Sequence, residues 1–410
     1  MRLVLPEDQF LNILSFLVVD SVFAMSETCH QLHEWCSLCK VVDSGEVELE
    51  DCDMNLLLRR FPAVNDLTLR YSSRLSSASY KALAEICPQL LSLRVMTARV
   101  IDGSTFRDLV RRFDSMRRLS LWGTFYVKSD AIGSLARAGQ QLQEVCLVGF
   151  RQLRDADVQL LLDSCVYLTR LSVADCTTLG SLVLTSPTLC SLDVSRCMHI
   201  NDMNLDMPAL THLNSSWCTK LPDTAVEGLL CSCPSLRHLA LKGCSALTSP
   251  NLESPHLESL DLSLCEKLTT CTVVCPRLTE LSVAMCMGLA TLNLDLPMME
   301  SLDLSMLGVR QLTLNCTSLS YINLRGSHKL SSKVWEGGDS SLASFCLSKP
   351  QGPACRMLAR AVSQRAALLT AFLGPFFFSV FTFLCVRRDK SNGIEPFVAG
   401  RSIYQKRLEI

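Results

Sequence analysis

Apolar positions along this chain follow one repeated phrase: an apolar residue, two variable residues, Leu, one variable residue, and Leu or Val. Clear copies lie at 168–173 and 257–262, and in both a Cys follows three residues after the last apolar position. Such a recurrence, at a period of roughly 20 to 30 residues, predicts a stacked solenoid in which each repeat buries its apolar side against its neighbours. The phrase begins at twelve positions: Val64, Leu90, Met116, Leu142, Leu168, Leu189, Leu210, Leu236, Leu257, Leu278, Met299 and Leu319.

The repeats have two lengths, and the length predicts how the chain returns to the next strand. Steps of 26 residues leave room for a helix, and 155–163 has the acidic start and the helical apolar spacing of a short helix. Steps of 20 or 21 residues leave no such room, and 179–187 instead alternates apolar and polar positions and closes at Pro187. We therefore expect a helical back that changes to strand-like returns after about Leu179, with a further helix near 224–230.

A Cys follows the phrase at a fixed place in the middle repeats. A buried thiol packs as a small apolar side chain and is a weak hydrogen-bond donor, which suits a position beneath the turn after a strand. Neighbouring strands are also close enough for a disulfide ladder. Because these cysteines recur with the repeat, packing accounts for them without redox chemistry, and we favour reduced thiols. The cysteine column comprises Cys176, Cys197, Cys218, Cys244, Cys265 and Cys286.

The phrase with its Cys resembles the cysteine-containing leucine-rich repeat. That resemblance implies an α/β solenoid, a curved leucine-rich-repeat horseshoe whose variable-Leu-variable-Leu segments form a parallel concave sheet. About twelve repeats of 20–26 residues then occupy 41–330. One strand from each repeat gives a long continuous surface, which is typical of proteins that bind other proteins.

The first forty residues do not follow the phrase and predict three short helices. Pro6 and the acidic residues after it suit a helix start, and the apolar residues of 10–17 fall on one face. Asp20 is placed to cap a second short helix, and 27–38 fits a third. Three short helices bury too little surface for a full core, so their exposed apolar faces indicate a partner.

This segment, 1–40, is similar to an F-box: it contains Leu-Pro, an acidic pair, an apolar helix ending in Ser-Phe-Leu, an Asp-led helix and a Cys-x-x-Leu-His helix. The resemblance implies docking to the Skp adaptor of a cullin-RING ubiquitin ligase, in the cytoplasm or nucleus, with a protein substrate on the repeats. The alternatives are a helical cap on the first sheet edge and a leucine-rich-repeat scaffold that meets no ligase. The positions that match adaptor-binding ones are Leu5, Pro6, Ile13, Leu14, Phe16, Leu17, Val22 and Phe23.

Two columns of side chains beside the strand leucines are candidates for substrate binding, because alternate strand residues point to the concave face. One column is partly apolar, and Trp and Met are frequent interface anchors; packing beside the repeat Cys is the other interpretation. The second column is polar, and the repeat consensus accounts for much of it. The candidates are Trp217, Leu264, Met285 and Met306 in the first column and Asp193, Asn214, Asp261 and Asp303 in the second.

The phrase ends near Leu330. Residues 331–365 have the composition of a linker, and 366–386 contain no charged residue before the basic start of the tail, 387–410. At about 1.5 Å per residue the uncharged segment is long enough to span a bilayer. It is therefore a candidate membrane helix that leaves 1–365 facing the cytosol. A buried cap on the last repeat and a translated non-coding or alternatively spliced tail are the alternatives.

Composition excludes several function classes. The formal net charge is −1, so no overall field attracts nucleic acid. The chain contains no GxGxxG, phosphate-binding loop or GxSxG motif, and no second ligand pair completes a zinc site with Cys36 and Cys39. We expect a binding protein that has no catalytic residues of its own and needs no cofactor or metal.

Overall fold

The computed structural model describes residues 38–46, 48–112, 115–309, 311–316, 318–327 and 344–346. These ranges cover most of the span expected to be a solenoid. The adaptor-binding candidates of 1–40, the uncharged segment 366–386 and the tail 387–410 lie outside the described residues.

One parallel sheet of fourteen strands runs through the described residues. Each repeat contributes one strand, and that strand pairs with the strand of the next repeat, so the order in the sheet follows the chain. We call these the concave strands. They are Val41–Asp43, Asp66–Leu69, Ser92–Val95, Arg118–Trp122, Glu144–Val148, Arg170–Ser172, Ser191–Asp193, His212–Asn214, His238–Ala240, Ser259–Asp261, Glu280–Ser282, Ser301–Asp303, Tyr321–Asn323 and Ser344–Cys346.

The register of the sheet places each strand leucine directly beside the next one. Leu171 pairs with Leu192, which pairs with Leu213. These side chains are at most 3% exposed, whereas the residues on either side of them are partly exposed. Because side chains along a strand alternate between faces, the leucines form an apolar ladder inside the solenoid and the variable residues form its concave surface.

The segment that returns to the next concave strand is a helix in long repeats and a strand in short repeats, as predicted. Short repeats return through strands that pair two by two, and the first of them begins at Ser181, just after Leu179. The helices of the long repeats are Asp51–Arg60, Ser77–Ile86, Gly103–Arg112, Ser129–Ala138, Asp155–Ser164 and Asp223–Ser232. The return strands are Ser181–Thr185 with Asp202–Asp206, Asn251–Glu253 with Thr272–Val274, and Thr291–Asp295 with Gln311–Asn315.

Acidic residues at the starts of two helices, Asp155 and Asp223, tie the helix to the repeat that follows. The Asp155 carboxylate accepts hydrogen bonds from the backbone N–H groups of Gly180 at 3.1 Å and Ser181 at 3.2 Å. Asp223 accepts from the backbone N–H of Thr248 at 3.0 Å and from its hydroxyl at 2.7 Å. The same carboxylates lie at the positive ends of the helix dipoles. They therefore stabilise the helix and also fix the spacing between repeats.

The sheet extends beyond the twelve phrases at both ends. Val41–Asp43 adds a strand before the first phrase, and Ser344–Cys346 adds one beside Tyr321–Asn323. The span 331–365, expected to be a linker, thus contains a strand, which three residues without visible periodicity could not reveal. Parallel strands at one per repeat, with leucines inside and helices or strands behind, confirm the expected fold class, a curved leucine-rich-repeat solenoid.

Candidate protein-binding surface

The predicted substrate candidates lie at two different places in the repeat. The polar column, exemplified by Asp261, occupies the last position of the concave strands. The apolar column lies three residues further along the chain, so that Leu264 follows Asp261 and Met306 follows Asp303. These residues are in the turn after the strand, whereas the polar column is part of the strand itself.

The turn residues share a left-handed backbone. The φ angles of Trp217, Leu264, Met285 and Met306 are 65°, 61°, 61° and 54°. Each turn residue also donates its backbone N–H to a carbonyl of the next repeat, as Leu264 does to Ala284 at 2.8 Å. A continuous ladder of hydrogen bonds therefore fixes the turns. We call this set the turn column: Gly123, Gly149, Asp175, Arg196, Trp217, Gly243, Leu264, Met285, Met306 and Gly326.

Bulky side chains in the turn column occupy positions that favour glycine. Glycine enters the left-handed region without a Cβ penalty, whereas other residues lose roughly 1–2 kcal/mol each. Two of the large side chains cover a glycine of the next repeat: a Cβ on Gly243 would lie 2.6 Å from the Trp217 ring, and one on Gly326 would overlap the Met306 sulfur. One side of Trp217 and Met306 is thus packed, while the side chains remain 39% and 44% exposed.

The polar candidates have a structural role in ending the strands. The side-chain Oδ1 of each accepts a hydrogen bond from the backbone N–H two residues later, at 3.0, 3.1, 2.9 and 2.9 Å in chain order. This Asx turn engages an N–H group that would otherwise continue the sheet, so the chain turns away. Substrate binding stays a prediction for this column, since the turn accounts for its residue types without a ligand. Its members are Asp193, Asn214, Asp261 and Asp303.

The cysteine column completes the same turn from inside the solenoid. The Ser195 N–H is engaged by Asp193 and does not continue the sheet. The Val173 carbonyl accepts a hydrogen bond from the Cys197 thiol at 3.2 Å. Cys286 donates in the same way to the Leu262 carbonyl at 3.0 Å. Burial raises the pKa of Cys197 to about 12, so the thiol keeps the proton that it donates at neutral pH. The six cysteines of the column are free thiols, in agreement with the reduced packing thiols that we favoured.

One exposed apolar residue beside the turn column was not identified from the sequence. Met287 follows Met285 by two residues and is 56% exposed. It comes directly after the repeat Cys, where four of the repeats have Thr, Ser or Glu and only the repeat of Met198 also has Met, so the departure from the polar residue types is the signal for it. Together these residues form a strip that we call the apolar rim: Trp217, Leu264, Met285, Met287 and Met306.

Charge on the concave face differs between its two ends. In the early strands, arginines pair with carboxylates of neighbouring strands, as Arg70 does with Asp43 at 2.8 Å and Arg170 with Glu144 at 3.3 Å. In the repeats of the apolar rim, four carboxylates that lie three to six residues before the rim residues form no ion pair with any described residue. These carboxylates outnumber the cations Lys242 and Arg325 of the same late repeats, so this end of the face carries a net negative charge. We call the four residues the acidic floor: Asp261, Glu280, Glu300 and Asp303.

Other kinds of site are not found in the described part of the chain. No group of three His, Cys, Asp or Glu side chains there is arranged to hold a metal ion. Cys39 is buried, and Cys36 lies outside the described residues. None of the described helices combines the length and the apolar character that crossing a membrane requires.

Comparisons with known proteins concern the fold. No family model matches the chain, and no curated protein matches it. It is similar to the Rad7 and Elc1 complex of yeast, at 18% identity over 80% of this chain and 82% of that chain, with a TM-score of 0.40. It is also similar to the LRIM1/APL1C complex (15% identity, 85% and 70% covered, TM-score 0.34) and to the functional domain of InlJ from Listeria monocytogenes, which includes a cysteine ladder (14%, 73% and 65%, 0.27). By its own repeats, register and parallel sheet, the chain has a leucine-rich-repeat fold.

Proposed function

We propose that this chain is the substrate-recognition subunit of a Skp–cullin–F-box ubiquitin ligase. Segment 1–40 binds the Skp adaptor, and the solenoid holds a protein substrate. Ubiquitin transfer takes place on other subunits, so this chain contributes effective concentration and orientation. The observation that carries the proposal is the exposed apolar rim beside a continuous fourteen-strand sheet, because an extended apolar patch on a protein surface marks an interaction site.

The start of the sheet supports this division of labour. The first concave strand begins at Val41, directly after the segment that resembles an F-box, and it pairs in register with the strand that starts at Asp66. In the sequence, the segment that resembles an F-box is thus followed directly by the first strand of the sheet. A receptor that orients its substrate needs such a direct connection, since a flexible linker would lower the effective concentration.

A pull-down with purified Skp adaptor tests the proposal. The full-length chain should be captured, and the double variant Leu14→Asp, Phe16→Asp should lose capture because charges enter the apolar face that meets the adaptor. Val183→Asp is the matched control, since it adds a charge at a 60% exposed position of a return strand. The proposal fails if the unmodified chain is not captured, or if the double variant binds equally well.

The second candidate function is a leucine-rich-repeat scaffold that binds protein partners without a ligase. The uncharged segment 366–386 favours a membrane-attached form of this scaffold. Carbonate extraction of membranes from cells that express either the full chain or a version ending at Arg365 tests the attachment. Retention of the full chain alone supports an anchor, and release of both proteins contradicts it.

A further inference from the structure

We infer that the apolar rim and the acidic floor together bind a cationic amphipathic helix of a protein partner. The inference rests on the proposed function in one respect: it names the kind of segment that a protein bound by the solenoid presents to it. It concerns the late repeats of the solenoid and does not involve segment 1–40.

The apolar rim has features of an anchor surface. Its left-handed turns carry bulky side chains at positions where other repeats have glycine, so the sequence retains these side chains against the backbone preference. Packing on the next repeat accounts for one side of Trp217 and Met306 only. Met285 and Met287 are 40% and 56% exposed. Flexible Met side chains beside a Trp are typical of surfaces that bind apolar partner residues.

The spacing of the rim favours a helical occupant. The turn column has one residue per strand, and neighbouring strands lie about 4.8 Å apart, so four steps from Trp217 to Met306 cover roughly 19 Å. A helix advances about 5.4 Å per turn, which is close to one step of the rim. Alternate residues of an extended strand lie about 6.7 Å apart and would lose this match. A helix of about thirteen residues, at 1.5 Å each, spans the rim.

The acidic floor determines the charge of that helix. Asp261 and Asp303 lie nearest to the rim, three residues before it, and are partly exposed. Glu280 and Glu300 are exposed five and six residues before the rim, toward the starts of their strands. One oxygen of each Asp is engaged by its Asx turn. The described cations in these repeats, Lys242 and Arg325, are fewer than the four carboxylates and form no ion pair with them. The carboxylates are therefore complementary to Lys or Arg beside the apolar stripe of a partner. Exposed charges act over about 8–10 Å at ordinary ionic strength, so those cations belong on the flank of the helix.

Fluorescence anisotropy with a designed probe tests the inference. The probe is a labelled 14-residue peptide of Ala, Leu and Arg, with Leu on one helical stripe and Arg on its flank. We expect the full-length chain to bind it, and Met285→Gly with Met306→Gly to weaken binding by about ten-fold or more. Glu280→Gln with Glu300→Gln should weaken binding several-fold and reduce its dependence on salt. The Gly variants are expected to fold, because glycine suits the left-handed turn.

Matched controls keep the test specific. Asp202→Asn with Asp206→Asn removes two exposed carboxylates from a return strand and should change the affinity less than about two-fold. The inference is overturned if the rim and floor variants bind like the parent, or if a peptide with Glu in place of Arg binds equally well. A dimer of the parent that the Gly variants lose, seen by analytical ultracentrifugation, also overturns it, because the occupant is then a second copy.

The same variants separate this inference from the proposed function. Capture by the Skp adaptor should be unchanged in the rim and floor variants, since the adaptor meets segment 1–40. If adaptor capture is intact but no variant alters peptide binding, the rim assignment alone is wrong. If capture fails while the peptide result holds, the ligase proposal alone is wrong.

Discussion

Replacing Gly243 by Ala tests how the turn column holds Trp217. Gly243 has a φ of 71°, and the added Cβ would lie 2.6 and 2.7 Å from two ring carbons of Trp217. The left-handed backbone costs about 1 kcal/mol for Ala, and overpacking adds roughly 1–3 kcal/mol. The Trp217 ring is 39% exposed and can move toward solvent, so we expect an overpacking cost at the lower end of that range. Ala also restricts the unfolded chain more than Gly does, which offsets about 0.5 kcal/mol of this loss. We therefore expect the free energy of unfolding to fall by about 1.5–2 kcal/mol.

A double-mutant cycle with Trp217→Ala separates the steric contribution from the backbone contribution. Without the ring, Gly243→Ala should cost only about 0.5–1 kcal/mol, which gives a coupling energy near 1 kcal/mol. Urea unfolding of the four proteins, followed by circular dichroism, measures it. Gly133→Ala is the control, because the Cβ added to this helical glycine would lie more than 4 Å from any atom outside the neighbouring residues and the backbone of its own helix, and the change should be neutral or stabilising. An equal cost of Gly243→Ala in both backgrounds would refute the reasoning.

Two further changes address the contacts between repeats. Asp223→Ala removes the acceptor for the Thr248 N–H and hydroxyl, and urea unfolding should show a loss of about 1–2 kcal/mol that Asp223→Asn partly avoids. Burial raises the pKa of Cys197 and Cys244 from 9.0 to about 12, so these thiols ionise at lower pH in the unfolded chain than in the folded protein. Their contribution to the free energy of unfolding is therefore complete below pH 9 and declines as the pH rises toward 12. The decline is up to about 1.4 kcal/mol per thiol and pH unit. Thermal melts from pH 7 to 11 should decline less steeply for Cys197→Ala with Cys244→Ala, and equal slopes contradict this assignment.

Much of the fold could be predicted because its determinants recur. A Leu at alternate positions of each strand and two repeat lengths are visible without coordinates, and both features fix the burial and the return path. The additional strands Val41–Asp43 and Ser344–Cys346 were not predicted, because three residues show no period of their own. Their positions depend on pairing with a neighbouring strand, which is a tertiary contact.

The binding surface was predicted only in part, because repeat position does not reveal backbone conformation. Trp217 and Met306 were identified, but their left-handed turns depend on the Asx hydrogen bonds of the preceding residues and on backbone hydrogen bonds to the next repeat. One signal was available: Gly243 and Gly326 occupy the same column, and glycine at equivalent positions indicates a positive φ. The acidic floor required the register of the sheet, since its carboxylates are about twenty residues apart in sequence.

Asp261 separates the two roles that the acidic floor can have. Its Oδ1 accepts from the Ser263 N–H at 2.9 Å, while the carboxylate remains partly exposed on the concave face. Asp261→Asn keeps the acceptor and removes the charge, so stability should stay within about 0.5 kcal/mol of the parent. Asp261→Ala removes both and should lose about 1 kcal/mol in urea unfolding. Both should weaken the cationic peptide to a similar extent. Equal stability of the two variants would contradict the Asx role, and unchanged peptide affinity in Asp261→Asn would show that Asp261 serves the turn alone.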